Sequence, residues 1–303
     1  MPDLPELKGI FLPLTTPFDS SGRFSVAHMR GNVEKYNRTR AAGYVATGST
    51  GEAVLLSAAE TEELWATVAE AASGGKILVA GTGAESTAET IALTRRAAGI
   101  GYGVALVRTP HYYRPLMTPD VLADFFLCVA EASPIPVVIY SIPQFTGITV
   151  EAPLVARLAE HPNIVGIKDS SGSVQRVAEI VNAVPASFRV LVGSASTLVS
   201  SLMVGASGGI LGLADSLPEA CVDLYQAVLA GRFEEARDLQ RKLLPASQLL
   251  VSQTGVAGTK YVLDRLGYYG GPVREPLRGL SAEVRATIDR VLAGLGILAA
   301  TGA

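Results

Sequence analysis

Short runs of apolar residues alternate along the chain with longer segments in which apolar residues recur every three or four positions. The short runs are rich in Val and Ile and are typical of buried strands, whereas the longer segments have the spacing of amphipathic helices. Eight strands are predicted, at residues 9–14, 43–47, 76–80, 103–108, 136–141, 163–168, 189–193 and 208–213. Seven helices are predicted between them, near residues 25–41, 57–73, 86–100, 118–132, 150–160, 173–183 and 196–205.

This alternation indicates a parallel sheet covered by helices, because parallel strands are buried on both faces and need a crossover connection. Eight such units are expected to close into an α/β fold of the (β/α)8 TIM-barrel type, spanning residues 1–215. Residues 216–303 are expected to form a C-terminal helical domain, with helices near 217–230, 233–250, 256–266 and 281–297. The alternative is an open doubly wound sheet, which usually carries a phosphate-binding fingerprint after its first strand. The segment TTPFDSSG in that place is no such fingerprint.

Charge and composition exclude several classes of protein. The chain has a net charge of −3 and no basic block longer than Arg95–Arg96, so no nucleic-acid partner is expected. No apolar stretch approaches the ~18 residues of a membrane span, and the N-terminus has no signal-peptide pattern, so we expect a cytoplasmic protein without a membrane partner. Cys128 and Cys221 lie in apolar helical patterns and are expected to be reduced core residues. The three histidines are scattered, and no metal site is expected.

Lys168 is the most informative residue at the predicted strand ends, where a barrel of this kind places its active site. It ends the apolar strand Ile164–Lys168. Desolvation at such a place favours the neutral amine, which is the nucleophile needed to attack a carbonyl and form a Schiff base. Two structural alternatives remain open at this point: an ion pair with Asp169, or a side chain that extends into solvent.

Two further strand ends carry candidate chemistry. Tyr140 closes the strand at 136–141, so its phenol is expected at the same end of the barrel as Lys168, where it would transfer a proton. The alternative is a core aromatic whose hydroxyl is satisfied within the protein. The turn Gly48–Glu52 joins a strand to a helix and offers backbone N–H groups and hydroxyls that can hold a carboxylate.

In this order, the segments Gly48–Glu52, Tyr140–Pro143 and Gly166–Ser170 resemble the motifs of the dihydrodipicolinate synthase and N-acetylneuraminate lyase superfamily. The resemblance covers nearly the whole chain. It implies a (β/α)8 barrel with a C-terminal helical domain, and class I aldolase chemistry on pyruvate without a cofactor. It also implies a homotetramer.

The resemblance assigns roles to residues of these motifs. Lys168 corresponds to the Schiff-base lysine and Tyr140 to the phenol that transfers the proton. Ser49 corresponds to the residue that relays this proton. Gly48 and Thr50 correspond to positions that bind the pyruvate carboxylate.

Other positions of the chain extend the resemblance. Tyr112 matches a tyrosine that reaches across a subunit interface into the neighbouring active site, and Ile210 matches a position whose backbone carbonyl lines the pocket. Within the superfamily, Ala80–Thr87, Ser133–Ser141 and Gly267–Pro272 are especially similar to 4-hydroxy-2-oxoglutarate aldolase.

Phe145 departs from the synthase pattern. Dihydrodipicolinate synthases carry there an arginine that binds the carboxylate of aspartate semialdehyde, and a phenyl ring cannot replace a bidentate guanidinium. The resemblance to 4-hydroxy-2-oxoglutarate aldolase implies a 4-hydroxy-2-keto acid such as 4-hydroxy-2-oxoglutarate, cleaved to pyruvate and an aldehyde, or the same pair in reverse, with Phe145 among the substrate-binding residues. Because Phe145 offers no donor to a carboxylate aldehyde such as glyoxylate, a less polar aldehyde is a further alternative. The alternatives are condensation of pyruvate with aspartate semialdehyde, a keto-deoxy sugar-acid aldolase or dehydratase, and a non-catalytic barrel that binds keto acids.

Overall fold

The computed structural model describes residues 6–298, and its centre is a closed barrel of eight parallel strands. Each strand pairs with its neighbours in chain order, and the last pairs with the first. The (β/α)8 prediction is confirmed. The strands are β1 (Gly9–Pro13), β2 (Gly43–Ala46), β3 (Ile77–Gly81), β4 (Val104–Arg108), β5 (Val137–Ser141), β6 (Ile164–Asp169), β7 (Arg189–Val192) and β8 (Gly208–Ile210).

Helices surround the barrel and follow it in the chain. Between the strands lie α1 (Val26–Tyr36), α2 (Ala58–Ala71), α3 (Thr87–Ile100), α4 (Pro119–Ala132), α5 (Pro143–Thr146), α6 (Ala152–Leu158), α7 (Val174–Ala183) and α8 (Leu198–Met203). After β8 come α9 (Gly212–Ser216), α10 (Pro218–Leu229), α11 (Phe233–Ser247), α12 (Gly255–Arg265) and α13 (Ala282–Gly294), with a π-helical turn at Gln248–Gln253 between α11 and α12.

The apolar residues form two cores because side chains alternate across a strand. One core fills the inside of the barrel and includes Val104, Leu106 and Tyr140. The other lies between the strands and the surrounding helices and includes Ala105 and Val107. Side chains that point inward alternate along each strand with side chains that point outward. Arg108 and Lys168 occupy inward positions near the ends of β4 and β6, so their side chains point towards the mouth of the barrel.

Helix starts follow the local sequence. The Ser57 side chain accepts a hydrogen bond from the Glu60 N–H while the Glu60 side chain accepts one from the Ser57 N–H, which confirms a capping box before α2. Before α3 the Ser86 side chain accepts from the Glu89 N–H. These caps fix where the chain turns from the strand-end loops into the helices.

Two sequence expectations need correction. The eighth strand ends at Ile210 rather than at residue 213, because Gly212 already begins α9. Cys221 is buried, but Cys128 is exposed and is not a core residue. It lies on the outer side of α4, whose buried positions include Phe125 and Val129.

The helices after the barrel pack back onto it. α10 contacts β1 and α8, and α12 contacts α9. The expected boundary after residue 215 falls inside α9, and the division into two domains stays a prediction. In the part of the chain that the structure describes, no helix is both long and apolar enough to cross a membrane.

Candidate active site

Lys168 and Tyr140 lie side by side at the carboxyl ends of their strands. They are paired residues in the register of β5 and β6, and both are buried, with 5% and 4% of their surface exposed. Lys168 Nζ lies 4.2 Å from the centroid of the Tyr140 ring. The Lys168 amine therefore lies inside the barrel mouth, over the face of the Tyr140 ring. The alternative of a Lys168 side chain that extends into solvent is wrong.

The neighbouring carboxylate does not bind this lysine. Asp169 Oδ2 accepts from Arg176 Nε at 2.9 Å, and Asp169 Oδ1 accepts from the Ser171 N–H at 3.0 Å. Among residues 6–298, the Lys168 side chain makes no ion pair and no hydrogen bond. The predicted alternative of a Lys168–Asp169 ion pair is wrong, because the strand alternation directs the two side chains to opposite faces.

Ser49 is a third polar residue beside Lys168 and Tyr140. Ser49 Oγ lies 3.2 Å from the Tyr140 hydroxyl, so a proton can pass between the two oxygens. Gly48 is buried and Ser49 is half-buried in the turn after β2. The structure places Lys168, Tyr140 and Ser49 together at one end of the barrel, and their catalytic roles stay predictions.

The turn that carries Ser49 has a strained backbone at both ends. Thr47 and Glu52 have φ angles of 56° and 54°, which cost of order 1–3 kcal/mol each for residues other than glycine. Thr47 Oγ1 donates to the Gly81 carbonyl at 2.9 Å and accepts from Trp65 Nε1 at 2.8 Å. A Cβ on Gly81 would lie 2.1 Å from the Thr47 carbonyl oxygen, so only glycine permits this close approach.

Glu52 fixes the other end of the turn through the C-terminal helices. Its carboxylate forms an ion pair of 2.5 Å with Lys260 on α12, and both side chains are almost completely buried, at 0% and 1% exposure. Burial lowers the pKa of the Lys260 ammonium, and the Glu52 carboxylate opposes this shift. The backbone N–H of Arg274 donates to the other Glu52 oxygen at 2.8 Å.

Arg274 ties the same region to α2. Its guanidinium binds both carboxylate oxygens of Glu60, at 2.6 and 2.9 Å, and donates to the Leu55 carbonyl. The hydrogen bond from Arg274 lowers the pKa of Glu60 to about 2. Neither Lys260 nor Arg274 could be assigned to the site from the sequence, because both lie more than 200 residues from the turn that they support.

A cavity of about 840 Å³ opens above these groups. Its lining includes the predicted residues Gly48, Ser49, Tyr140 and Phe145. Phe145, on α5, is 72% exposed. The cavity therefore combines the polar strand ends with an apolar rim.

Four predicted residues, Lys168, Thr50, Ile210 and Tyr112, are not among the residues that line the cavity. Lys168 adjoins the lining through Tyr140, its pair in the strand register. Thr50 is half-buried beside Gly212, whose Cβ position would lie 3.8 Å from Thr50 Oγ1. Ile210 is buried in the inner core at the end of β8. Tyr112 is 78% exposed, so its expected role depends on a second subunit and stays a prediction.

Arg108 is a cavity residue that sequence analysis missed. It is the last residue of β4, paired with Tyr140 in the register of β4 and β5. Its Nη1 donates to Glu85 Oε1 at 2.7 Å and lies 2.9 Å from His111 Nδ1. Burial acts to raise the pKa of Glu85, but hydrogen bonds from the Tyr112 and His111 N–H groups and from Arg108 outweigh it, and the pKa lies below its usual value.

Asp215 is a buried carboxyl group close to the end of β1. Its Oδ2 accepts from the Thr15 N–H at 3.0 Å, and no hydrogen-bond partner of Oδ1 exists among the described residues. Burial raises the pKa of Asp215 to about 8. At neutral pH this side chain is therefore largely protonated.

Metal-binding groups are scattered. In residues 6–298, no group of three or more His, Cys, Asp or Glu side chains is arranged to hold a metal ion. The polar side chains that line the cavity include the Ser49–Tyr140 hydroxyl pair, Arg108, His111 and Arg278, and the Lys168 amine lies against the Tyr140 ring. Hydroxyls, an amine and a guanidinium together suit a carbonyl substrate that carries a carboxylate.

Solved structures with the same fold resemble this chain over almost its whole length. The chloride-inhibited dihydrodipicolinate synthase of Acinetobacter baumannii, complexed with pyruvate, superposes with a TM-score of 0.92 and 30% identity, covering 96% of this chain and all of that one. The 4-hydroxy-tetrahydrodipicolinate synthase of Methylacidiphilum fumariolicum SolV has a TM-score of 0.91 and 32% identity, covering 96% of each chain.

Relatives in sequence have the same name. A 4-hydroxy-tetrahydrodipicolinate synthase of Methanothrix thermoacetophila is 36% identical over 286 residues, covering 94% of this chain and 96% of that protein. These names do not support the narrower resemblance to 4-hydroxy-2-oxoglutarate aldolase, which stays a prediction. Residues 6–294 match the dihydrodipicolinate synthetase family. The chain therefore belongs to the dihydrodipicolinate synthetase family.

Proposed function

We propose that this protein is a class I aldolase that binds pyruvate as a Schiff base on Lys168. The observation that carries the proposal is the buried Lys168 amine, which lies over the Tyr140 ring and has no carboxylate partner among the described residues. An amine in this position is available to attack the carbonyl carbon of a 2-keto acid. The solved relative complexed with pyruvate supports the choice of keto acid.

The first steps join the keto acid to the enzyme. Lys168 Nζ attacks C2 of the substrate, and loss of one water molecule gives a protonated imine. The N–H groups of Ser49 and Thr50 hold the substrate carboxylate without a cationic side chain, whereas those of Gly51 and Glu52 donate within the turn. The imine then accepts the electron pair released when the C3–C4 bond breaks.

Tyr140 and Ser49 move the proton in the cleavage step. The Tyr140 oxygen takes the proton from the C4 hydroxyl as the Tyr140 hydroxyl proton passes to Ser49 Oγ, 3.2 Å away. The C3–C4 bond breaks to give an aldehyde and an enamine on Lys168. Protonation of the enamine at C3 and hydrolysis of the imine release pyruvate, and condensation follows the same steps in reverse.

The preferred substrate is a 4-hydroxy-2-keto acid such as 4-hydroxy-2-oxoglutarate. Phe145 supports this choice over aspartate semialdehyde, because its ring lines the cavity where a synthase would place a guanidinium. The names of the relatives favour the second candidate, condensation of pyruvate with aspartate semialdehyde. Rates of pyruvate release from 4-hydroxy-2-oxoglutarate and of condensation with aspartate semialdehyde, measured on one preparation, decide between the two.

Borohydride trapping tests the covalent step. Incubation with pyruvate and sodium borohydride should add the mass of one pyruvate less one oxygen atom, and peptide mapping should place it on Lys168. Lys260 is an internal control, because it is buried but already ion-paired with Glu52. The K168A variant should lose both the adduct and turnover. An adduct on another lysine, or normal turnover by K168A, would overturn the proposal.

A further inference from the structure

We propose that Arg108 binds the carboxylate of the aldehyde that this enzyme releases or condenses with pyruvate. The inference rests on the proposed function and names the chemical class of its second substrate, an aldehyde acid. Arg108 would thereby supply, from the end of β4, a guanidinium that the chain lacks at Phe145. Arg108 lies outside the motifs Gly48–Glu52, Tyr140–Pro143 and Gly166–Ser170.

Strand register places Arg108 on the same level of the barrel as the reacting groups. Arg108 pairs with Tyr140, and Tyr140 pairs with Lys168. Because neighbouring strands are about 4.8 Å apart, the Cα atoms of Arg108 and Lys168 are separated by about 10 Å. Tyr140 lies between the two residues in the register, so a substrate on Lys168 that extends over Tyr140 directs its far carboxylate towards β4.

Arg108 occupies an inward-facing position of β4, so its side chain points towards the cavity. Val104 and Leu106 belong to the inner core, and Arg108 continues their alternation. It lines the same cavity as Ser49 and Tyr140, and its side chain is 20% exposed. A substrate in the cavity can therefore reach a guanidinium that is largely shielded from water.

The hydrogen bonds of Arg108 leave one edge of the guanidinium open. Nη1 binds Glu85 Oε1, His111 and the Thr109 carbonyl. Within residues 6–298, Nε and Nη2 make no hydrogen bond. These two nitrogens form the edge that binds a carboxylate with two parallel hydrogen bonds.

The surroundings orient Arg108 for this task. Glu85 is held by the N–H groups of His111 and Tyr112, at 2.8 and 2.9 Å, and so presents a fixed carboxylate to Nη1. Gly83 leaves room for the side chain, because a Cβ there would lie 2.6 Å from Arg108 Cγ. The open edge is thus fixed by contacts on the opposite side of the guanidinium.

The test compares a charged and a neutral acceptor. Condensation of pyruvate with glyoxylate and with acetaldehyde is measured for the wild-type enzyme, R108Q, R108K and R278Q. Arg278 is the matched control, since it is an exposed arginine that lines the same cavity. R108Q should lower kcat/KM for glyoxylate by about 10- to 100-fold, because two charge-assisted hydrogen bonds are lost.

The other variants define the specificity of this effect. R108Q and R278Q should change kcat/KM for acetaldehyde by less than about twofold, and R108K should recover only part of the glyoxylate activity, because lysine is a point charge. An equal loss for both acceptors, or a wild-type enzyme without preference for glyoxylate, would overturn the inference. Borohydride trapping of pyruvate on Lys168 separates the two proposals: failure to trap overturns the proposed function itself, whereas normal trapping with unchanged selectivity overturns only the role of Arg108.

Discussion

Replacement of Lys260 by methionine tests the support of the active-site turn. The K260M variant removes the ammonium but keeps an unbranched side chain of similar size, so it leaves the Glu52 carboxylate buried without its cation. The hydrogen bond from the Arg274 N–H is the contact that remains to this carboxylate. Loss of one partner of a buried ion pair costs about 3–5 kcal/mol, because the remaining charge is unpaired in a low-dielectric site.

The expected shift of the unfolding midpoint follows from this free-energy cost and the unfolding entropy, which scales with chain length. Unfolding entropy is about 2.1 cal/mol/K per residue, or about 0.6 kcal/mol/K for the chain of 303 residues. The K260M variant should therefore unfold at a midpoint lower by about 5–8 °C. Its kcat should fall by about 100-fold, since a displacement of about 1 Å in the turn that carries Ser49 is enough for such a loss.

Thermal unfolding followed by circular dichroism, together with steady-state turnover, measures both effects. The E52Q/K260M double variant removes both charges and should recover most of the lost stability. R30M is the matched control, because Arg30 and Glu70 form an exposed pair at 2.8 Å, and exposed pairs contribute about 0–1 kcal/mol. If K260M lowers the midpoint no more than R30M, the reasoning about this buried pair is wrong.

Three further predictions address pH dependence and chemistry. Because burial raises the pKa of Asp215 to about 8, its contribution to stability is fully present below about pH 4 and is lost as the pH rises towards 8. D215N should remove this loss, so the variant should gain about 1.4 kcal/mol per pH unit over the wild type between pH 5 and 8. Unfolding midpoints at those pH values measure the gain, and a constant difference would contradict it. Y140F should lower kcat by about 10²–10⁴-fold while pyruvate is still trapped by borohydride, and unchanged turnover would exclude the phenol from proton transfer. F145R should raise kcat/KM for condensation with aspartate semialdehyde by at least about tenfold, measured as product formation, and no gain would show that a guanidinium at this position is not sufficient.

The barrel and the positions of Lys168 and Tyr140 at its strand ends could be predicted because their signals are local. A strand that is buried on both faces reads as a continuous apolar run, and a lysine at its end, such as Lys168, stands out against that background. The end of β8 was misplaced because the run from Gly208 to Leu213 is apolar throughout, and a buried short helix has the same composition as a buried strand.

The support of the site could not be predicted because it depends on contacts between distant parts of the chain. Glu52 is the last residue of the motif Gly48–Glu52 and can be recognised there. No sequence pattern near Lys260 or Arg274 indicates that these residues bind its carboxylate. Arg108 ends a strand, where an arginine ordinarily reaches solvent. Only the closed barrel shows that its position pairs with Tyr140 and faces the cavity.

The ion pair between Glu52 and Lys260 also sets an order of events during synthesis. The last barrel strand is complete at Ile210, but both groups that bind the Glu52 carboxylate follow it, and Arg274 comes about 60 residues later. At 5–20 residues per second, a ribosome needs roughly 3–12 s for that stretch. A nascent chain therefore has all eight strands several seconds before it has the residues that hold the Glu52 end of the turn at Gly48–Glu52.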